Sequence, residues 1–285
     1  MPAAVVTGVS TGIGEAIAAD LTRRGWRVFG TVRRVEDRER LKLALGENFT
    51  GLIADVTDID SLGLAATMVA DALGHEPLAG LVCNAGVSLP GPLLHQPLDE
   101  LDQQWNVNVR GLVATVQAFA GLLGASERFT GKPGRIVTMS SVSGELVWPF
   151  VGGYAASKHA VEAVSHALRR ELMPFGVDVV IIGPGPVATP IWEKSSAAID
   201  RSRYQATFYG PIIEKFEKEV LARANDALPA EAVADVVFHA LTTAKPKTRY
   251  PLTRSSLTNW TLPRLLPDRV LDRLAAKRLG LNRRK

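Results

Sequence analysis

Short apolar runs alternate along the chain with longer stretches in which apolar residues recur every three or four positions. Runs such as Ala3–Val6 and Leu78–Val82 carry no charge and read as strands buried on both faces. This pattern predicts strands near 3–7, 26–32, 50–54, 78–83, 134–139, 177–183 and 248–252. Between them, helical periodicity predicts helices at 13–24, 36–45, 59–73, 98–124, 153–173, 211–224 and 229–243. Strands that alternate with helices imply an α/β architecture, a doubly wound and mostly parallel sheet of about seven strands with helices on both faces. Right-handed crossovers then place the ligand crevice at the carboxyl ends of the strands.

Composition supports a buried core of that size, with 46% hydrophobic and 22% charged residues in a chain of 285. No internal repeat or Pro/Gly/Ser linker divides it. The first apolar strand starts at Ala3 and leaves no room for a signal peptide, and no run of about 18 apolar residues could span a bilayer. The single cysteine, Cys83, ends an apolar run and reads as a buried thiol. A cytoplasmic protein is expected. The five histidines show no metal-ligand spacing, and no metal is expected.

Candidate chemistry lies in two places. Tyr154 and Lys158 stand at i and i+4, so on a helix they share one face. An ammonium beside a phenol favours the phenolate and is expected to lower the tyrosine pKa. Such a tyrosine can exchange a proton with an alcohol oxygen that a serine hydroxyl steadies, and Ser141 lies thirteen positions upstream. Near the N-terminus, the strand Ala3–Val6 runs into Thr7-Gly8-Val9-Ser10-Thr11-Gly12-Ile13-Gly14 and then a helical stretch. A strand, a glycine-rich turn and a helix N-terminus make an anion site, because free N–H groups and the helix dipole face the ligand.

These motifs, taken together and in order, resemble those of the short-chain dehydrogenase/reductase family, on its compact single-domain branch. The family's T-G-x-x-x-G-x-G matches at Thr7, Gly8, Gly12 and Gly14, and its N-A-G matches at Asn84, Ala85 and Gly86. Its asparagine matches at Asn108, and its serine-to-tyrosine spacing selects Ser141 over Ser140. The stretch Pro184-Gly185-Pro186-Val187-Ala188-Thr189 fits its P-G-x-V-x-T. The resemblance implies a Rossmann-like fold and a catalytic set of Asn108, Ser141, Tyr154 and Lys158. It also implies cofactor contacts from Gly8, Ser10, Thr11, Gly12, Ile13, Gly14, Asp55, Val56, Asn84, Ala85 and Gly86. Tyr154, Lys158, Pro184, Gly185, Val187 and Thr189 complete that cofactor set. Lys158 would hold the nicotinamide ribose, Asn108 would support a water relay toward it, and Val187 and Thr189 would bind the carboxamide.

The second strand ends in Val32-Arg33-Arg34, where an acid would hold the ribose of NAD and an arginine accommodates a 2′-phosphate. Val32 stands in the acid's place, and the Arg33 guanidinium can grip phosphate, which favours NADP(H) over NAD(H). The competing reading is a solvated turn with Glu36 or Asp37 reaching back to the ribose. Ile191, Trp192, Phe208, Tyr209, Ile212, Ile213 and Phe216 lie where family members build a lid over the substrate. Ser141, Tyr154 and Trp192 are the candidate substrate contacts. The stretch Trp192 to Phe216, with the strand Lys247-Thr248-Arg249-Tyr250, resembles the steroid- and retinol-dehydrogenase side of the family, and its apolar anchors suit a hydrophobic alcohol, ketone or aldehyde. Alternatively, these aromatics pack the lid onto the body.

The expected organisation is one catalytic domain over 1–250, with the lid at 190–225 and a basic extension at 251–285. Residues 245–285 carry twelve Lys or Arg against two Asp, a net +10 in a chain whose total is +4. There Val270, Leu271, Leu274 and Leu281 recur at helical spacing among cations, which suits an anionic membrane surface or a helix docked on the body or on another subunit. No nucleic-acid motif accompanies the charge. The resemblance makes the protein an NADP(H)-dependent oxidoreductase, expected as a homodimer or homotetramer. The alternatives are an NAD-linked dehydrogenase and a cofactor-binding sensor without turnover; four intact catalytic positions argue against the sensor.

Overall fold

The computed structural model describes residues 1–126, 129, 131–191, 195, 199–224, 227–255 and 260–281. Its centre is a seven-stranded sheet in the order β3-β2-β1-β4-β5-β6-β7. The strands are β1 Ala3–Val6, β2 Arg27–Val32, β3 Phe49–Ile53, β4 Gly80–Cys83, β5 Arg135–Met139, β6 Asp178–Pro184 and β7 Arg249–Leu252. Every neighbouring pair is parallel. The order reverses between β1 and β4, and the switch opens a crevice where both strands end.

Period-two alternation explains why strands such as β1 and β4 carry no polar position. Ala4 and Val6 face one core with α1 (Gly12–Arg23), α2 (Val35–Leu45) and the later helix Ala230–Thr242. Ala3 and Val5 face the opposite core with α3 (Ile59–Leu73) and the helices Gly111–Phe119 and Gly152–Glu171. Both faces are covered, so the central strands β1 and β4 are apolar throughout, while charged residues stand at the ends of others, such as Arg27, Arg135, Asp178 and Arg249. Cys83 is buried in the second core, where burial pushes its thiol up to about 12.

The helix expected over 98–124 is a correction. It breaks into α4 (Leu98–Trp105), a π-helical turn at Asn106–Arg110, α5 (Gly111–Phe119) and a short 3₁₀ turn. The wider turn brings the Asn108 amide inward, where it donates 2.9 Å bonds to the Val87 carbonyl and the Ser157 hydroxyl. Local side-chain bonding of this kind accompanies many π turns at functional positions.

Beyond α6 (Gly152–Glu171), the chain passes a short helix at Arg201–Gln205 to α7 (Gly210–Ala224), α8 (Ala230–Thr242) and, after β7, α9 (Asp268–Leu279). Trp192 lies outside the described residues. Ile212 and Phe216 pack with Phe150 and with Leu279 of α9, and Tyr209 adds an edge-on ring 5.9 Å from Phe150. Most of the lid's apolar side chains therefore fasten it to the body and to the C-terminal helix. Phe208 remains exposed. No described helix is long and apolar enough to cross a membrane.

Candidate active site

The glycine turn sits at the carboxyl end of β1, held by side chains from two neighbouring strand ends. The Thr31 hydroxyl accepts the Gly8 N–H at 3.0 Å, and Asn84 Nδ2 donates to the Thr7 and Gly8 carbonyls at 2.9 and 3.2 Å. Thr7 Oγ1 in turn accepts the backbone N–H groups of Asn84 and Ala85, both at 3.0 Å. Gly12 holds a φ of +67°, which disfavours any side chain. At Gly14 a Cβ would fall 2.2 Å from the Gly8 carbonyl oxygen and 2.5 Å from Asn84 Nδ2. No side chain caps the first turn of α1, so its N–H groups are left to the crevice. That cradle suits a pyrophosphate.

Arg33 projects from the end of β2 with its side chain 75% exposed, and its nearest acid is Asp55 Oδ2 at 3.9 Å. Asp37 pairs with Arg34 at 3.3 Å and so turns away from a role as ribose acceptor. Val32 is buried at the strand end. Arg40, which the sequence does not single out, donates 2.6 Å to the Ser10 carbonyl and pairs with Glu15 at 2.7 Å. It ties α2 to the glycine turn. Asp55 accepts from Thr57 at 2.9 Å, a local turn, while Val56 is buried against Gly111.

The acid-base group lies across the crevice at the ends of β5 and β6. Ser141 caps a short 3₁₀ turn, its Oγ accepting the Ser143 N–H at 3.1 Å and donating 3.4 Å to the Pro184 carbonyl, and its side chain is near enough to Tyr154 to lower the phenol's pKa. Lys158, one turn along α6, is buried, and its Nζ donates 2.8 Å to the Met139 carbonyl. Nζ lies 5.7 Å from the centre of the Tyr154 ring. A Cβ on Gly86 would lie 3.3 Å from Asn108 Oδ1 and 3.5 Å from Lys158 Nζ, so the N-A-G turn, the asparagine and the lysine converge. Thr189 abuts Gly12 from the far side, and Val187 bridges to Leu228, which joins the Pro184–Thr189 turn to the glycine turn.

The electrostatics correct one expectation. Burial pushes the Tyr154 phenol above its ordinary range, and the nearby Ser141 side chain only partly offsets it. The expected depression by Lys158 is missing, and desolvation of the buried phenol dominates. Burial pulls Lys158 down to about 8, with Glu162 acting in the opposite direction. A raised tyrosine keeps its proton at neutral pH, which suits a donor.

Behind these residues lies a charged cluster that sequence reading missed. Arg249 of β7 pairs with Glu162 and, at 3.2 Å, with Glu145, and donates 3.4 Å to the Ser141 carbonyl. Trp260 is stacked between Arg249 and Arg264, 4.5 and 5.0 Å from the two guanidinium carbons, and Arg264 closes the group on Glu145 at 2.6 Å. Glu162 follows Lys158 by one helical turn and was open to discovery from spacing. Arg249 left no such signal.

The profile of the family described as short chain dehydrogenase covers residues 2–200. The chain belongs to the short-chain dehydrogenases. It is an oxidoreductase of that family. An NADPH-dependent 3-dehydrocapnine reductase of Ornithobacterium rhinotracheale is 41% identical over 276 residues, 97% of this chain and 96% of that protein. Mouse retinol dehydrogenase 16 is 34% identical across 86% of this chain and 78% of its own. A crystallised short-chain dehydrogenase/reductase of Burkholderia phymatum, in complex with NAD, superposes with a TM-score of 0.78. It covers 96% of this chain and 95% of its own at 24% identity, which speaks for the fold alone.

Proposed function

We propose that this short-chain dehydrogenase interconverts a hydrophobic alcohol and its ketone or aldehyde with NADP(H), using Tyr154 as the acid or base. The observation that carries the reading is the convergence of Ser141, Tyr154, Lys158 and Asn108 at one edge of the sheet, with Lys158 Nζ 5.7 Å from the Tyr154 ring, beside a cavity of about 1170 Å³ that Val142 and Gly152 help to line. The 3-dehydrocapnine relative is named as NADPH-dependent, and exposed Arg33 supports the same preference here. NADP(H), when bound, supplies the hydride. Its pyrophosphate would rest on the turn Gly8–Gly14 with Ser10, Thr11 and Ile13, its 2′-phosphate on Arg33, and its adenine near Asp55 and Val56. Asn84, Ala85, Gly86, Pro184, Gly185, Val187 and Thr189 would hold the nicotinamide half.

In the reducing direction Tyr154 donates its proton to the carbonyl oxygen while the Ser141 hydroxyl hydrogen-bonds the same atom. Lys158 holds the ribose, and Asn108, fixed by Val87 and Ser157, supports a water relay toward it. The test is NADPH oxidation, with NADH in parallel, against steroids, retinoids, aliphatic ketones and quinones. Faster loss of NADPH absorbance than of NADH with a hydrophobic carbonyl is expected. No oxidation of either cofactor with any of them would overturn the reading.

The pH profile follows from Lys158. Its charge is present below about 8 and lost above, so kcat/KM for reduction should fall on an alkaline limb near that value. Glu162 raises the lysine's pKa, and Glu162→Gln should therefore move the limb to lower pH while NADPH binding at neutral pH is kept. An unshifted limb would remove Lys158 as its source.

A second reading concerns the basic extension. Leu274 is exposed on α9 next to Arg273 in sequence and three positions from Lys277, so the outer face of the docked helix still suits an anionic bilayer. We expect salt-sensitive cosedimentation with vesicles containing phosphatidylserine, reduced by Arg273→Glu with Lys277→Glu. No binding at low salt would sink this reading.

A further inference from the structure

We infer that α9 forms the far wall of the substrate cavity, and that the substrate is a straight-chain, lipid-like ketone or alcohol whose alkyl tail ends against this helix. The inference rests on the oxidoreductase reading above and deepens it. The cavity begins at residues that flank the chemistry: Val142 follows Ser141, Gly152 precedes Tyr154, and Pro186 belongs to the turn after β6. Among the described residues it reaches Leu271, Ala275 and Leu281 at α9. Its volume, about 1170 Å³, exceeds the roughly 300–1,000 Å³ of ordinary small-molecule sites. One compact ligand at the hydroxyls would leave the helix end unfilled.

The wall is anchored. Leu279 is buried among Phe150, Ile212 and Phe216, and Arg278 Nε pairs with Glu219 at 2.6 Å. Phe150 belongs to the loop that leads into α6 and Tyr154, so the same cluster fixes the helix relative to the reactive end. What the wall offers a ligand is aliphatic. Two charged residues also line this end, but Arg278 is held by Glu219 and Asp272 by Arg269 at 3.5 Å. A ligand with an oxygen at its distal end gains nothing from Leu271, Ala275 and Leu281, whose surface rewards only apolar atoms that leave water. A hydrocarbon terminus meets them without loss. Such a wall discriminates by length, since each methylene that leaves water adds binding.

The test is kcat/KM for NADPH-dependent reduction of straight-chain 2-ketones of increasing length. For the unaltered protein it should climb by up to about fourfold per methylene, the equivalent of ~0.8 kcal/mol, and then level off when the tail reaches the helix. Ala275→Trp should leave the short ketones unchanged and bring the plateau to a shorter chain. NADPH affinity, read by nicotinamide fluorescence, shows that the variant is folded, and Ala275→Leu carries the same test with less bulk if the tryptophan form loses it. A profile flat with length, or the same plateau in a folded variant, overturns the inference and leaves the oxidoreductase reading standing. No turnover of any ketone by the unaltered protein overturns both.

Discussion

Tyr154→Phe is expected to lower the turnover number by about 10²–10⁴, the range for loss of a general acid. The substitution keeps the ring that packs beside Lys158 and removes only the hydroxyl, whose pKa Ser141 helps to lower. NADPH affinity should stay unchanged, because the turn that cradles the pyrophosphate lies across the crevice on β1 and α1. Stopped-flow measurement of the first turnover separates the two effects, since cofactor binding and proton delivery report at different stages. Near-normal turnover would mean that another group supplies the proton. The raised phenol gives the prediction its direction: the group is protonated when a carbonyl arrives, so its deletion removes a donor and not a base.

Arg33→Ala is the next largest expected effect, on binding and not on chemistry. Charge-assisted hydrogen bonds to a 2′-phosphate contribute roughly 1.5–3 kcal/mol, about 10- to 150-fold in the dissociation constant for NADPH. NADH, which lacks that phosphate, should bind as before. The guanidinium is exposed and meets Asp55 only at 3.9 Å, a contact that solvent screening leaves worth little to the fold. Both constants are measurable by fluorescence titration at one ionic strength. Equal weakening of the two cofactors would assign Arg33 to the scaffold and remove the main support for NADP(H).

The sheet was legible because parallel strands buried on both faces must be apolar from end to end, as in Ala3–Val6 and Gly80–Cys83. Tyr154 and Lys158 were legible for a similar reason, since i and i+4 on a helix leave little choice of face. The π turn at Asn106–Arg110 was not. Its apolar residues continue the helical period, and only the contacts of Asn108 with Val87 and Ser157 show why one extra residue is accommodated. The pKa of Tyr154 was read in the wrong direction, because spacing reports a neighbouring charge but not burial. Arg249 was invisible for a different reason. Its partners Glu145, Glu162 and Trp260 come from separate stretches, and β7 must pair with β6 before they meet.

That meeting also fixes an order of assembly. The strand pairs of the half-sheet β3-β2-β1 form among the first residues synthesised, and domains emerging from the ribosome begin to organise from that end. The Ser141 carbonyl receives its Arg249 donor across 108 residues, and Trp260 and Arg264 come later still. Pairings this distant in sequence are slow to close. A nascent chain can therefore pair its first three strands well before its acid-base group is braced, with Arg249, Glu145 and Glu162 still hydrated and apart.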